Sequence, residues 1–274
     1  MRELKAIYIG GPTAILEWGN VRFLTDPTFD PAGGSYASGP ATLMKLADPA
    51  LKPDQLGPID VVLLSHDHHW DNLDRTGRDF LDRVSRVLTT FDGAKRLGGN
   101  AIGLQPWDTL EMLSADGKLL RVTATPAQHG PAGRDRGPVI GFALAFEDAP
   151  NEVVYVSGDT VWFEGIEEVA RRFNIHAAVL FLGAATVPEV GSYHLTMTAD
   201  EAKQAASVFP HARIVPLHFE GWAHFRERKD EINTAFQKAG IGDRLCWLEP
   251  GRAVTVETSE MRLAKCGTNV PAET

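Results

Sequence analysis

The sequence predicts an α/β fold in which two mixed β-sheets pack face to face and helices cover their outer sides. Short segments rich in β-branched and aromatic residues alternate with segments of helical periodicity along most of the chain. The order is β-rich and then βα in the first half, and the second half repeats it, which favours two similar layers. The chain has 274 residues, of which 43% are hydrophobic, so a single domain can bury a sizeable core.

The first half begins with three strands, at 4–10, 13–18 and 21–26, separated by Gly-Pro and Gly-Asn. The segment 27–58 is dense in Pro and Gly but also carries aromatic residues, so we expect an ordered lid over a site, with a helical turn at 40–48. After the lid we predict, in order, a strand at 59–65, a helix near 73–85, a strand at 87–91, a short helix at 93–99 closed by glycine, and strands at 101–105, 108–113 and 118–127.

The second half repeats the plan, so the single domain 1–274 divides into halves of about 1–130 and 131–258. Thr198, followed three residues later by Glu201, forms a capping-box pattern that predicts a helix start. We expect the last dozen residues to be loose. The predicted elements are strands at 139–147, 152–159, 177–183 and 213–219, helices near 164–173, 198–208 and 223–239, and a turn at 247–251.

Charge and composition exclude several functional classes. The formal net charge is −9, and the basic clusters are short, which argues against nucleic-acid binding. Arg134 and Arg136 are either solvated or placed to meet an anionic substrate. The two cysteines form no CxxC pair, so we expect neither a disulfide framework nor a thiolate site. With no stretch long enough to span a bilayer and no signal sequence, we expect a cytoplasmic protein without stable membrane insertion. The sequence does not decide whether the protein forms a symmetric homo-oligomer.

Histidine and carboxylate residues recur at four predicted strand ends. The apolar run IDVVLLS leads directly into SHDHHWDN at 65–72, and the same arrangement returns at His129, Asp159 and His218. Ligand sites of open α/β sheets lie at the carboxyl ends of the strands. Neutral imidazole and carboxylate are usual ligands of zinc and related divalent metals. The pattern therefore predicts a metal site at one edge of the sheets.

The series SHDHHWDN, QHG, SGDT and PLHF resembles the motifs of the metallo-β-lactamase superfamily, from the first strands to about residue 222. LTDP, YVSGDT and TMTADEA look most like its lactonase branch, related to ascorbate-6-phosphate lactonase and similar to the N-acyl-phosphatidylethanolamine phospholipase D type. The resemblance implies an αββα sandwich with one or two Zn²⁺ or Mn²⁺ ions at an edge between the sheets. It also implies hydrolysis of a small-molecule lactone, ester, amide or phosphodiester.

The first motif departs from the family pattern HxHxDH, and two registers are open. If His66 and His68 are the first two family histidines, Trp70 stands at the family Asp and Asp71 at the last histidine. In this register no carboxylate stands at the position of the family Asp.

In the register that we favour, Asp71 is the family Asp and His69 the second histidine. Asn72 then replaces the final histidine, and Asp67 takes the first position. An extra loop residue would let His66 reach the metal in place of Asp67. A neutral amide is a poorer zinc ligand than imidazole, so a mononuclear site or a weaker second site is open.

The remaining candidates have a functional and a structural interpretation each. His68 is either a ligand or a hydrogen-bond partner of one. Asn72 is either a weak ligand or the N-cap of the next helix. Asp26 either supports the ligands from behind or is an ordinary turn residue. His194 either binds a substrate oxygen or protonates a leaving group, or lies in a surface loop. The metal ligands expected are His66, His68, His69, Asp71, Asn72, His129, Asp159 and His218.

Aromatic residues beside the ligands are candidates for the substrate pocket. Trp222 and His224 closely follow His218 and would line its rim, whereas Trp70 and Trp162 either form an apolar wall or pack in the core. Asp71 would orient the attacking water or shuttle its proton.

The sequence favours a metal-dependent hydrolase in which a metal-bound hydroxide attacks an electrophilic centre of a small molecule. Two alternatives remain: a phosphodiesterase of a small substrate, and a metal-poor binding or sensor protein on the same fold, which Asn72 motivates.

Overall fold

A computed structural model describes residues 2–257, which form an αββα sandwich, as the sequence predicts. The strands are β1 (Leu4–Gly10), β2 (Thr13–Trp18), β3 (Val21–Thr25), β4 (Ser35–Ser38), β5 (Ala41–Met44), β6 (Val61–Leu63), β7 (Val87–Thr90), β8 (Ala101–Leu104), β9 (Thr109–Leu113), β10 (Leu119–Pro126), β11 (Ile140–Phe146), β12 (Ala149–Val156), β13 (Ile175–Phe181), β14 (Arg213–Leu217) and β15 (Ala253–Thr255). The α-helices are α1 (Arg75–Phe80), α2 (Phe91–Leu97), α3 (Glu164–Arg172), α4 (Ala199–Val208) and α5 (Lys229–Lys238).

Two mixed sheets carry the fold. The first has the order β15-β1-β2-β3-β6-β7-β8, and the second has the order β14-β13-β12-β11-β10-β9. The strands β3, β6, β7 and β8 run parallel to one another, as do β12, β13 and β14. Parallel strands bring their carboxyl ends to one edge, so the segments that follow them meet there. The chain passes into the second sheet at β9, ahead of the boundary near residue 130 that the sequence suggests.

The main core lies between the sheets, where alternate residues of each strand point inward. Phe23 and Leu63 of the first sheet and Phe142 and Val179 of the second are fully buried in one apolar cluster. Burying each such side chain contributes about 1.5–3 kcal/mol. A second cluster packs α3, α4 and α5 on the outside of the second sheet, and a third packs α1 on the outside of the first.

The segment 27–58, which we expect to act as a lid and call the lid below, is ordered and contains a hairpin. β4 and β5 pair antiparallel, with Tyr36 opposite Leu43, and both side chains are buried. The predicted helical turn at 40–48 is wrong, because buried Ala41 and Leu43 alternate with exposed Thr42 and Met44. That period of two belongs to a strand whose one face packs.

Helix boundaries differ from the sequence prediction at two places. The helix expected near 73–85 ends at Phe80 and continues as a short 3₁₀ turn. The helix expected from 223 begins only at Lys229. Residues 223–228 are irregular because the Ala223 amide donates to the Met44 carbonyl of the lid, at 3.0 Å.

Helix α4 begins as predicted. The Thr198 hydroxyl accepts from the Glu201 amide at 3.1 Å, and the Glu201 carboxylate accepts from the Thr198 amide at 2.9 Å. The predicted loose tail, the last dozen residues, lies outside residues 2–257. Within that range no helix is both long and apolar enough to cross a bilayer.

Candidate metal centre

The predicted ligands follow four strands that end at the same edge of the sandwich. His66 comes three residues after β6, and His129 comes three residues after β10. Asp159 follows β12, and His218 follows β14 directly. Gly158 has a φ of +61°, and a Cβ there would lie 2.6 Å from the Ile140 carbonyl oxygen, so only glycine fits the turn that presents Asp159.

Three histidines, His66, His69 and His129, form what we call the imidazole cluster. His69 Nδ1 lies 2.9 Å from His66 Nε2 and 3.1 Å from His129 Nε2. His129 Nδ1 donates to the Leu195 carbonyl at 2.9 Å, which leaves the lone pair of its Nε2 directed at the other two rings. One ring nitrogen of each residue therefore converges on a common point.

Asp71, Asp159 and His218 form what we call the carboxylate cluster. Their ligand atoms lie within 4.8 Å of one another, and all three side chains are buried. His218 Nδ1 lies 2.9 Å from Asp159 Oδ1, and His218 Nε2 lies 3.5 Å from Asp71 Oδ2. Asp159 also joins the two clusters, because its Oδ2 lies 3.5 Å from His129 Nε2.

The two clusters have opposite electrostatic character. Burial, with the neighbouring imidazoles, lowers the pKa of His69 to about 3 and that of His66 well below its usual range, so both rings are neutral. Burial alone would lower the pKa of His218, but Asp159 and Asp71 raise it to about 10. The buried carboxylates therefore attract positive charge, whereas the imidazole cluster offers neutral lone pairs.

The residues present fit divalent metal ions. Neutral imidazoles converging on one point and a buried carboxylate pair beside them are the donor sets that such ions take. Asp159 Oδ2 and Asn72 Oδ1 are buried, and neither accepts a hydrogen bond from the part of the chain that the structure describes. Buried polar atoms without partners are costly, and a cation would satisfy them.

A chain of hydrogen bonds supports His66 from behind. Asp26 Oδ1 accepts from the Ser65 amide at 2.9 Å and from the Ser65 hydroxyl at 2.8 Å. Ser65 Oγ lies 2.9 Å from His66 Nδ1. Asp67 instead pairs with Arg96, at 2.8 Å from its Nε, and so points away from the cluster. His66, and not Asp67, is therefore the residue that joins the imidazole cluster.

The other predicted site residues, His68, Asn72 and His194, are not members of the two clusters. His68 Nε2 bonds to the Arg136 carbonyl at 2.8 Å. Asn72 Nδ2 donates to Asp159 Oδ1 at 3.2 Å, and its alternative as a helix N-cap is wrong because Asp74 caps α1. His194 pairs with Glu201 at 3.0 Å.

The three tryptophans that we predicted for the pocket have different surroundings. Trp70 lies against Tyr36 of the lid, and its indole donates to the Ala37 carbonyl at 2.9 Å. Trp222 is buried under the lid, and Trp162 packs on the outside of the second sheet. None of these three tryptophans lines the pocket beside the clusters, so the apolar wall expected there comes from other residues.

A pocket opens beside both clusters. Its floor is polar and its walls are mostly apolar. Sequence reasoning missed the apolar walls, because the loop 183–195 carries no periodic pattern. The lining residues are Ser38, Leu43, His69, Asp71, His129, Arg136, Ala185, Val187, Val190, Leu195 and His224.

Known proteins resemble this chain in sequence and in fold. A beta-lactamase superfamily domain matches residues 21–219. The UPF0173 protein YddR of Bacillus subtilis is 24% identical over 90% of this chain and 98% of its own length. A UPF0173 metal-dependent hydrolase of Ligilactobacillus salivarius is 30% identical over 66% of this chain and 74% of its own length.

Two solved structures show the same architecture. An isothiocyanate hydrolase from Delia radicum gut bacteria aligns with a TM-score of 0.75 and 23% identity, over 91% of this chain and 98% of that one. Igni18, a metallo hydrolase from Ignicoccus hospitalis, aligns with a TM-score of 0.68 and 21% identity, over 93% and 99% of the two chains. This chain therefore belongs to the beta-lactamase superfamily, among the metal-dependent hydrolases of the UPF0173 group.

Proposed function

We propose that the protein hydrolyses a small-molecule lactone, ester, amide or phosphodiester with the help of one or two Zn²⁺ or Mn²⁺ ions. The observation that carries the proposal is the meeting of the imidazole cluster and the carboxylate cluster at one pocket. His69, Asp71 and His129 belong to these clusters and also line the pocket. A molecule in the pocket would therefore contact the ligand groups directly.

The chain's own residues hold and orient the reactants. When bound, the ions would supply Lewis acidity that lowers the pKa of a water molecule and polarises the electrophile. Burial alone would raise the pKa of Asp71, but His224 and His218 hold it well below its usual range. The carboxylate is thus ionised and orients a water molecule by accepting its hydrogen bond. The apolar walls exclude other water from the reacting centre.

The pocket supports a substrate that has an apolar part and a negative group. Leu43, Val187 and Leu195 line the pocket and offer apolar contact. Arg136 also lines the pocket and brings a positive charge to it. A lactone or ester that carries a carboxylate or phosphate meets these demands, in keeping with the resemblance to the lactonase branch.

Arg136 also favours a second candidate, hydrolysis of a small phosphodiester. Guanidinium groups bind phosphate by two parallel hydrogen bonds. The third alternative, a metal-poor binding protein, draws on Asn72, which offers an amide where the family has an imidazole.

Metal content separates the hydrolases from the binding protein. The protein is purified without a histidine tag or chelator, and its metal is counted by plasma mass spectrometry. We expect one or two equivalents of metal per chain. We also expect hydrolysis of homoserine lactones, p-nitrophenyl esters or bis(p-nitrophenyl) phosphate. Asp159→Ala should abolish that hydrolysis. No metal, even after incubation with Zn²⁺ or Mn²⁺, would refute the proposal.

A further inference from the structure

His224 contacts the carboxylate cluster directly. Its Nε2 lies 2.9 Å from Asp71 Oδ2, the same oxygen that His218 Nε2 approaches at 3.5 Å. The side chain is 8% exposed, and that exposed part faces the pocket. Its Nδ1 is buried and finds no hydrogen-bond partner among residues 2–257. A second imidazole thus stands beside Asp71 with one nitrogen directed at the cluster.

The carboxylate cluster lacks an imidazole at Asn72. The Asn72 side chain is fully buried, and it turns its amide nitrogen toward Asp159 Oδ1, at 3.2 Å. An amide nitrogen has no lone pair for a metal ion, and an amide oxygen in its place is a poor zinc ligand. The three remaining members supply two carboxylates and one histidine, so a further neutral nitrogen ligand would complete four donors.

The segment that carries His224 is fixed on two sides. The Ala223 amide donates to the Met44 carbonyl of the lid at 3.0 Å, and the Thr186 amide donates to the His224 carbonyl at 2.9 Å. Trp222, the residue before Ala223, is buried under the lid with Tyr36. The imidazole is therefore held in place before any ion binds, as ligands of a preorganised site are.

We propose that His224 is a ligand of the ion in the carboxylate cluster and supplies the imidazole that Asn72 does not. The inference rests on the proposed function, because it requires that the protein bind metal. It assigns the first ion to the imidazole cluster and the second to Asp71, Asp159, His218 and His224. The alternative role is a hydrogen bond that only orients Asp71.

His224→Gln separates a ligand from a hydrogen-bond donor. The glutamine amide still donates to Asp71 but binds zinc poorly. Zinc binding is titrated against a fluorescent chelator, and bound zinc is counted by plasma mass spectrometry. We expect the wild type to bind two ions, and His224→Gln to bind one tightly and the second at least about 100-fold more weakly, since even an indirect partner of a ligand is worth 10–100-fold. The control is His211→Gln, an exposed histidine at the start of β14, which should keep both ions.

A measurement on the wild type tests the role of His224 even if the His224→Gln variant does not fold. With ¹⁵N-labelled histidine, saturating Zn²⁺ should move the ring signals of five of the nine histidines to metal-bound shifts. Four moved histidines, or a second zinc affinity within about threefold of wild type in His224→Gln, would overturn the role of His224 and leave the proposed hydrolase intact. A wild type that binds no zinc would instead refute the proposed function, and this inference with it.

Discussion

The imidazole cluster and the carboxylate cluster lie side by side, but they differ in charge and in what supports them. His66 and His69 are neutral, and His66 is held through Ser65 by Asp26. The carboxylate cluster contains two buried anions, and its neighbour His224 is held by the lid. One cluster is thus supported from inside the sandwich and the other partly from a loop hairpin.

The backbone of the carboxylate cluster is strained at one residue. His218 has a φ of +55°, a left-handed conformation that costs a residue other than glycine about 1–3 kcal/mol. Its amide donates to the Gly11 carbonyl at 2.8 Å, which compensates part of that cost. We therefore expect the second ion to be more sensitive than the first to changes in the surrounding structure.

Asp159→Asn should have the largest effect, because Asp159 lies beside both clusters. Its two oxygens are 2.9 Å from His218 and 3.5 Å from His129. We expect loss of both ions and at least about a 1000-fold fall in kcat/KM, beyond the 10–100-fold typical of an indirect partner. Metal counting and hydrolysis of the substrate found by screening measure the two losses. His129→Asn, which changes the imidazole cluster alone, should keep the second ion. Retention of both ions in Asp159→Asn would contradict the expectation that Asp159, which contacts both clusters, supports both ions.

The order of elements and the strand-end placement of the ligands could be predicted from the sequence. Buried strands read as apolar runs, and His129, Asp159 and His218 each follow one. The capping box at Thr198 was readable because it depends on residues three apart. Such local patterns survive folding because neighbours in the chain decide them.

The choice among the histidines at 66–69 could not be read from the sequence. It depends on Arg96, whose Nε donates to Asp67 Oδ2 at 2.8 Å. Asp67 therefore points away from the imidazole cluster, and His66 lies in it. The contact of His224 with Asp71 likewise joins residues 153 positions apart. The helical turn wrongly predicted at 40–48 shows the same limit, since the packing of Leu43 with Tyr36 and Trp222 decides for a strand.

Lys45→Met tests the lid as a support. The Lys45 ammonium lies 2.9 Å from Asp74 Oδ2, and both side chains are almost fully buried. Removing one partner leaves a buried carboxylate, which costs about 3 kcal/mol and lowers the Tm by about 6–12 °C. Because residue 45 pairs with Trp222 beside the His224 segment, the second ion should weaken more than the first. The control is exposed Lys238→Met. Calorimetry that shows an unchanged Tm would contradict this role of the lid.

Asp26→Ala tests the other support. It removes the acceptor of the Ser65 hydroxyl, which lies 2.8 Å away and orients His66. We expect about a 10–100-fold loss of affinity for the first ion, with the second little changed. Asp26→Asn keeps an acceptor oxygen and should cost much less. Zinc titration measures each step, and an equal loss at both steps would remove the distinction between the two supports.

His194→Gln should have the smallest effect on either cluster, because His194 pairs with Glu201 outside the pocket lining, at 3.0 Å. The hydrogen bond that His194 Nε2 donates to the Glu201 carboxylate raises the pKa of His194. The pair thus stabilises the fold below the ordinary histidine pKa of about 6.5, and this contribution is lost as pH rises through the raised value. We expect a loss below about 1 kcal/mol at pH 6 that disappears by pH 9, since the ring is partly exposed. Urea unfolding at both pH values measures it. A large fall in kcat at unchanged metal content would instead show that His194 acts on the substrate, as one interpretation of the sequence has it.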